Sequence, residues 1–138
     1  MPLGYVVDEP YRLVVISGDY STPNDWDRLM TRLAQDPRIH PGFSFLRDLR
    51  GGSVPPEPAV VVAMFDIVRR FWPMMTPRRA AIVTTTDDSA ALIAQALAGV
   101  HGLRIEVFTS FPDAVDWLTV DASESGRATK GSAGPSAD

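Results

Sequence analysis

The apolar positions of this chain alternate between two periods. Segments in which every second residue is apolar, or nearly all are, read as strands. Segments with apolar residues at every third or fourth place read as helices. GYVVDE and YRLVVISGDY, at 4–9 and 11–20, are strand-like and meet at a tight turn near Glu9-Pro10, so they predict a hairpin. Thr22-Pro23-Asn24-Asp25 predicts a helix start, with Thr as N-cap, Pro in the first turn and an acid at the third helical place. Trp26, Leu29, Met30 and Leu33 then form one apolar stripe, and Asp36-Pro37 ends it.

FSFLRDL, at 43–49, is the third strand-like segment. A second helix is expected to begin near Pro56-Glu57 and to run to about Trp72, with Val61, Met64, Phe65, Val68 and Trp72 inward and Asp66, Arg69 and Arg70 opposite. RAAIVT, at 79–84, is apolar throughout, as a strand covered on both faces would be. Thr86 or Asp87 is expected to cap a third helix ending at Gly99. Leu103 to Phe108 reads as a strand, and Ser110-Phe111-Pro112-Asp113 starts a closing helix that turns Val115, Trp117 and Leu118 inward. The order β-β-α-β-α-β-α-β-α predicts right-handed crossovers and a mixed, mostly parallel sheet covered by helices.

The pattern stops near residue 120. From Asp121 onward no aromatic or large aliphatic side chain occurs, too little to offset ordering entropy, so 1–120 reads as one α/β domain and 121–138 as a disordered tail. The 138 residues suffice for one domain with its own core. The net charge of −4 argues against a nucleic-acid partner. No apolar run approaches the roughly 20 residues of a transmembrane segment, and MPLGYVVDEPYR lacks the basic and apolar regions of a secretory leader. Zero cysteines exclude a disulfide framework, a thiol nucleophile and a thiolate metal site. A cytoplasmic domain without cofactor is the expectation.

The element order resembles the STAS-like fold of bacterial anti-sigma-factor antagonists, in the branch called SpoIIAA-like. FSFLRDLRG, RRAAIVTTTDDSAALIAQAL and RIEVFTSFPDAVDWL carry the resemblance, the last with an A-x-x-W-L ending at Ala114 to Leu118. It implies a regulatory domain that binds a protein partner, with a switch serine in the loop after the third strand. The family's Asp-Ser pair is replaced here by Asp48-Leu49-Arg50-Gly51-Gly52-Ser53, so Ser53 corresponds by position and not by motif.

Chemistry in an open parallel sheet collects outside the carboxyl ends of the strands. That edge defines a loop of Asp48, Arg50, Gly51, Gly52 and Ser53, and a cleft edge at Tyr20, Thr85 and Asp87. Asp48 and Arg50 fall on one side of a continuing strand and are placed to pair. Helix capping explains Thr86, Asp87 and Ser110 better than ligand binding does. His40 and His101 lie in turn-like segments without metal-ligand spacing, and no GxSxG motif occurs, so no catalytic residue is assigned and no metal is expected.

The helix SAALIAQALAGV is apolar nearly all round, and RRFWPMMTPRR sets aromatic and Met side chains between Arg pairs. Phe71, Trp72, Met74, Met75 and Leu97 are the expected interface of a homodimer, with packing of the apolar helix on a neighbouring helix of the same chain, and of Trp72 in the core, as the alternative. The leading expectation is a non-enzymatic regulatory or protein-interaction domain. A carrier of a small apolar or phosphorylated ligand is the alternative, and an enzyme with a site near Asp48, Ser53 and Asp87 a third.

Overall fold

The computed structural model describes residues 3–18, 22–50, 57–84 and 89–124. They form an α/β domain of five strands and four helices. The strands are β1 (Gly4–Asp8), β2 (Leu13–Ser17), β3 (Ser44–Asp48), β4 (Ala80–Val83) and β5 (Ile105–Phe108). The helices are α1 (Pro23–Gln35), α2 (Pro58–Met75), α3 (Ser89–Val100) and α4 (Phe111–Glu124). The sheet runs β1-β2-β3-β4-β5, antiparallel between the first two strands and parallel elsewhere.

Because each crossover joins adjacent strands with the same hand, its helices share one face of the sheet. On that face Val14 and Ile16 pack with Leu29, Met30 and Leu33 of α1 and with Met75 of α2, while Ile82 packs with Ala91 of α3. On the other face Leu13, Leu46, Ala81 and Val83 pack with Ala114 and Leu118 of α4. The domain thus has three layers, and all four residues of β4 are buried, as its unbroken apolar run predicts.

The start of α1 forms as its sequence dictates. Thr22 Oγ1 accepts the Asp25 backbone N–H at 3.2 Å, and the Asp25 carboxylate accepts the Thr22 N–H at 3.1 Å. At α4, Ser110 Oγ accepts the Asp113 N–H at 3.3 Å. The hairpin closes through Arg12 N–H to Glu9 C=O at 3.1 Å, with Arg12 at φ 53°.

Four boundaries differ from expectation. The helix α2 starts at Pro58 and not at Pro56-Glu57, with Glu57 as its N-cap. At its other end α2 does not stop at Trp72 but continues through Pro73 to Met75. Proline there removes one intrahelical hydrogen bond in a turn that is about to end. The helix closes on Thr76, left-handed at φ 37°, whose N–H reaches Trp72 C=O at 2.8 Å. Gly42 N–H satisfies the terminal carbonyls of Met75 and Thr76, at 3.3 and 3.0 Å.

The third difference concerns the end of α3. Gly99 is helical, and the capping glycine is Gly102, at φ 73°. Leu103 N–H bonds Ala98 C=O at 2.7 Å and Gly102 N–H bonds Gly99 C=O at 3.1 Å, the two bonds of a Schellman motif. The left-handed residue of that motif falls at Gly102, so Gly99 sits one step too early. Fourth, α4 extends to Glu124, past the boundary expected at 120. Ala and Glu favour helix, and propagation adds one backbone hydrogen bond per residue without demanding a buried face.

Candidate functional site

The face carrying α1, α2 and α3 does not close completely on the sheet. A cavity of about 160 Å³ lies between them. Its floor is Ile16, Phe45, Ala80, Ile82 and Ile105 from the strands. Trp26 and Met30 of α1 wall one side, and Ala90, Ala91 and Ala94 of α3 the other. The roof is α2, through Val61, Met64, Phe65, Val68, Trp72 and Met75. The space exists because alanines stand where larger side chains would fill it: Ala80 in the sheet, and three within five residues of α3.

Arg47 is the charged residue among the described ones that line this cavity. Strand alternation puts it there. Phe45, Arg47 and Leu49 face the helices, while Ser44, Leu46 and Asp48 face α4. Across the sheet Arg47 stands in a row with Tyr5, Ile16, Ile82 and Val107, and is the only charged side chain in that row. Charge in such a row is costly unless hydrogen bonded. Arg47 Nη1 donates to Asp48 C=O at 3.1 Å and to Ile16 C=O at 3.5 Å, and the guanidinium carbon lies 5.5 Å from the centre of the Trp26 ring.

The expected loop is described at Asp48 and Arg50, which pair. Arg50 Nε and Nη2 donate to the two Asp48 carboxylate oxygens at 3.0 and 2.9 Å, and the Arg50 N–H adds a third bond at 3.0 Å. Arg50 also lies 4.3 Å over the Phe111 ring, tying the end of β3 to the start of α4. Burial raises the Asp48 pKa, but the side-chain and backbone hydrogen bonds from Arg50 outweigh it and hold the carboxyl below its ordinary value. An acid clamped in this way positions a loop and is poorly suited to take up a proton. Gly51, Gly52 and Ser53 lie outside the described residues, as do the cleft-edge residues Tyr20, Thr85 and Asp87.

The interface residues do not gather on one surface. Met75 is in the core at 7% exposure, because the extra turn of α2 carries it inward. Phe71 is half-buried against the same cluster, Trp72 lines the cavity, and Leu97 is half-buried. Met74 is exposed, together with Leu92 and Val100 on the outer side of α3. That helix is therefore buried on one side within the single chain, through Ala90, Ala91 and Ala98. Gln95 is half-buried and donates to Ile105 C=O at 2.9 Å, which fastens α3 to β5.

Among the described residues no group of three His, Cys, Asp or Glu side chains is placed to hold a metal ion. None of the described helices is long and apolar enough to cross a membrane. His40 packs edge-on to Phe43 and His101 stacks on Phe65, with centroids 5.9 and 6.0 Å apart. Arg47 was the site residue hidden in the sequence. The signal for it was present, as a charge at an inward place in the alternation of FSFLRDL. The cavity gave less sign of itself, since its alanines belong to segments separate in sequence. Comparison with family models, curated proteins and solved structures gave no significant match.

Proposed function

We propose that this chain is a non-enzymatic binding domain of STAS-like (SpoIIAA-like) type that carries a small, mainly apolar molecule between α2 and the sheet. The observation that carries the reading is the apolar cavity of about 160 Å³ beneath α2. Its apolar lining keeps hydrocarbon surface in contact with water that a bound apolar molecule would cover. The five-stranded mixed sheet and alternating helices support the STAS-like assignment.

Native mass spectrometry of protein purified from its own host tests the carrier reading. A small-molecule adduct that disappears on denaturation is expected, and Ala94→Phe, which fills the cavity, should abolish it. A bare chain mass in wild type, with no rise in melting temperature in the presence of toluene, would sink the reading.

A second reading, a regulatory domain that acts as a homodimer, is favoured by the exposed Met74, Leu92 and Val100, at 59, 55 and 79% exposure. It expects twice the chain mass in solution and dissociation by Met74→Glu or Leu92→Glu; a monomeric wild type rejects it. A partner kinase acting at Ser53 belongs to this reading, with Ser53→Asp weakening the partner complex.

A further inference from the structure

We propose that the cavity binds an uncharged molecule built on one aromatic ring; this rests on the carrier reading above and names the class of its ligand. Size is the first argument. An apolar cavity of about 150 Å³ is known to hold one benzene molecule, and pockets for drug-sized ligands begin at about 300 Å³. At about 160 Å³ the present space takes a single ring with a small substituent and excludes the acyl chains of a membrane lipid.

The walls are the second. Aromatic side chains reach the space from three elements: Trp26 of α1, Phe45 of β3, and Phe65 and Trp72 of α2. A ring among them meets faces and edges in the offset or T-shaped arrangements that aromatic pairs prefer. An aliphatic ligand of equal size does not share that gain. Met30 and Met64 add polarisable thioethers, which favour the edge of a ring and adapt to its outline. In the floor Ala80, and on the α3 side Ala94, present single methyl groups. A low wall without branches packs closely on a planar face and leaves gaps beside a kinked chain.

Charge is the third. The Arg47 guanidinium at the cavity wall is already engaged, by hydrogen bonds to Ile16 C=O and Asp48 C=O and by the Trp26 ring. A carboxylate or phosphate entering here would shed its water without gaining an uncommitted cation. No carboxylate is found among the described residues that line the space, so an ammonium group would fare no better. Asp48 faces the α4 side and is clamped by Arg50. An uncharged ring needs neither partner.

Amide-shift NMR titration of the full chain with two matched pairs, benzene with cyclohexane and toluene with benzoate, tests the proposal. Benzene should bind at least about threefold tighter than cyclohexane, although cyclohexane is the more hydrophobic. Toluene should bind at least about tenfold tighter than benzoate. Ala94→Phe should remove toluene binding. Cyclohexane binding as tightly as benzene overturns the aromatic assignment, and benzoate binding as tightly as toluene overturns the uncharged one; either result leaves the carrier reading intact. Toluene binding that survives Ala94→Phe also overturns the proposal, because the site would lie elsewhere. Should Ala94→Phe not fold, the shifts on wild type decide the location, and changes that spare α2, α3 and β3 overturn it. Failure of all four compounds to bind overturns the proposal, and together with a bare chain mass from the host it overturns the carrier reading as well.

Discussion

Arg50 grips Asp48 by both carboxylate oxygens, at 3.0 and 2.9 Å, and presses its other side on the Phe111 ring. The pair locks the end of β3 to the first turn of α4. Arg50 is 45% exposed and Asp48 14%, so solvent screens the pair only in part. Arg50→Ala is expected to lower stability, and Arg50→Lys to lower it less, since lysine keeps the charge but loses the fork. Urea unfolding at neutral pH measures both. Carbon-13 NMR titration should show the Asp48 carboxyl moving back up in Arg50→Ala.

Acid should weaken the fold through the same kind of contact. Asp36 is held below its ordinary value of 3.8, first by the Arg38 side chain and then by the Arg38 backbone N–H. Asp25 is lowered by the Thr22 backbone N–H foremost, and Asp66 by the Arg69 side chain. A carboxyl with a depressed folded pKa contributes stability that is fully present above the unfolded value and is lost as pH falls toward the folded one. The urea midpoint should therefore be flat from pH 7 to about 5 and drop between about 4 and 2. The difference between wild type and Asp36→Asn should shrink as pH falls from about 4 to 2; a gap that does not narrow over that interval would assign the Asp36 effect to packing.

The two glycines at the end of α3 should respond in opposite directions. Gly102 is left-handed at φ 73° and an added Cβ meets nothing within 4 Å, so Gly102→Ala carries backbone strain alone, about 1 kcal/mol. Gly99 is helical with equally open space, and Gly99→Ala should stabilise by about 0.5–1 kcal/mol. Thermal unfolding of the two single variants is sufficient. A loss in Gly99→Ala would mean that Gly99 and not Gly102 terminates the helix.

Two leucines on helices provide a contrast of burial. Leu118, 1% exposed, holds α4 on the sheet, and Leu118→Ala should cost about 2–5 kcal/mol. Leu92, 55% exposed on α3, should change stability by less than about 0.5 kcal/mol when replaced by alanine in a monomer. A larger loss at Leu92 that grows with protein concentration would place that residue in a subunit interface.

Local chemistry made most of the fold legible. Thr22 and Asp25 state a helix start in four residues, and the unbroken RAAIVT run requires cover on both sides. The hairpin, the three crossovers and the closing helix follow from such short signals. What escaped depends on where the chain meets itself. Pro73 looks like a helix stop, yet a proline in the last turn removes only one hydrogen bond, and the turn continues until Met75 enters the core, where Gly42 N–H donates to the terminal carbonyls of Met75 and Thr76. Gly99 and Gly102 are equally plausible caps until Leu103 N–H finds Ala98 C=O. Arg47 was readable by alternation alone. The cavity beside it was not, because alanine reads as a good helix former and the vacancy is shared by several elements.

The strand order β1-β2-β3-β4-β5 also sets the course of assembly. Every strand docks beside its immediate predecessor, so no segment must wait for a distant part of the chain before it can pair. Sequence-local pairing of this kind favours rapid folding and can proceed in the direction of synthesis. The exception is α4, which closes last over Leu13, Leu46 and Val83 and seals a sheet face that stays wet until the C-terminal residues arrive. A chain halted before Phe111 would present that face bare, with the order of its strands already correct.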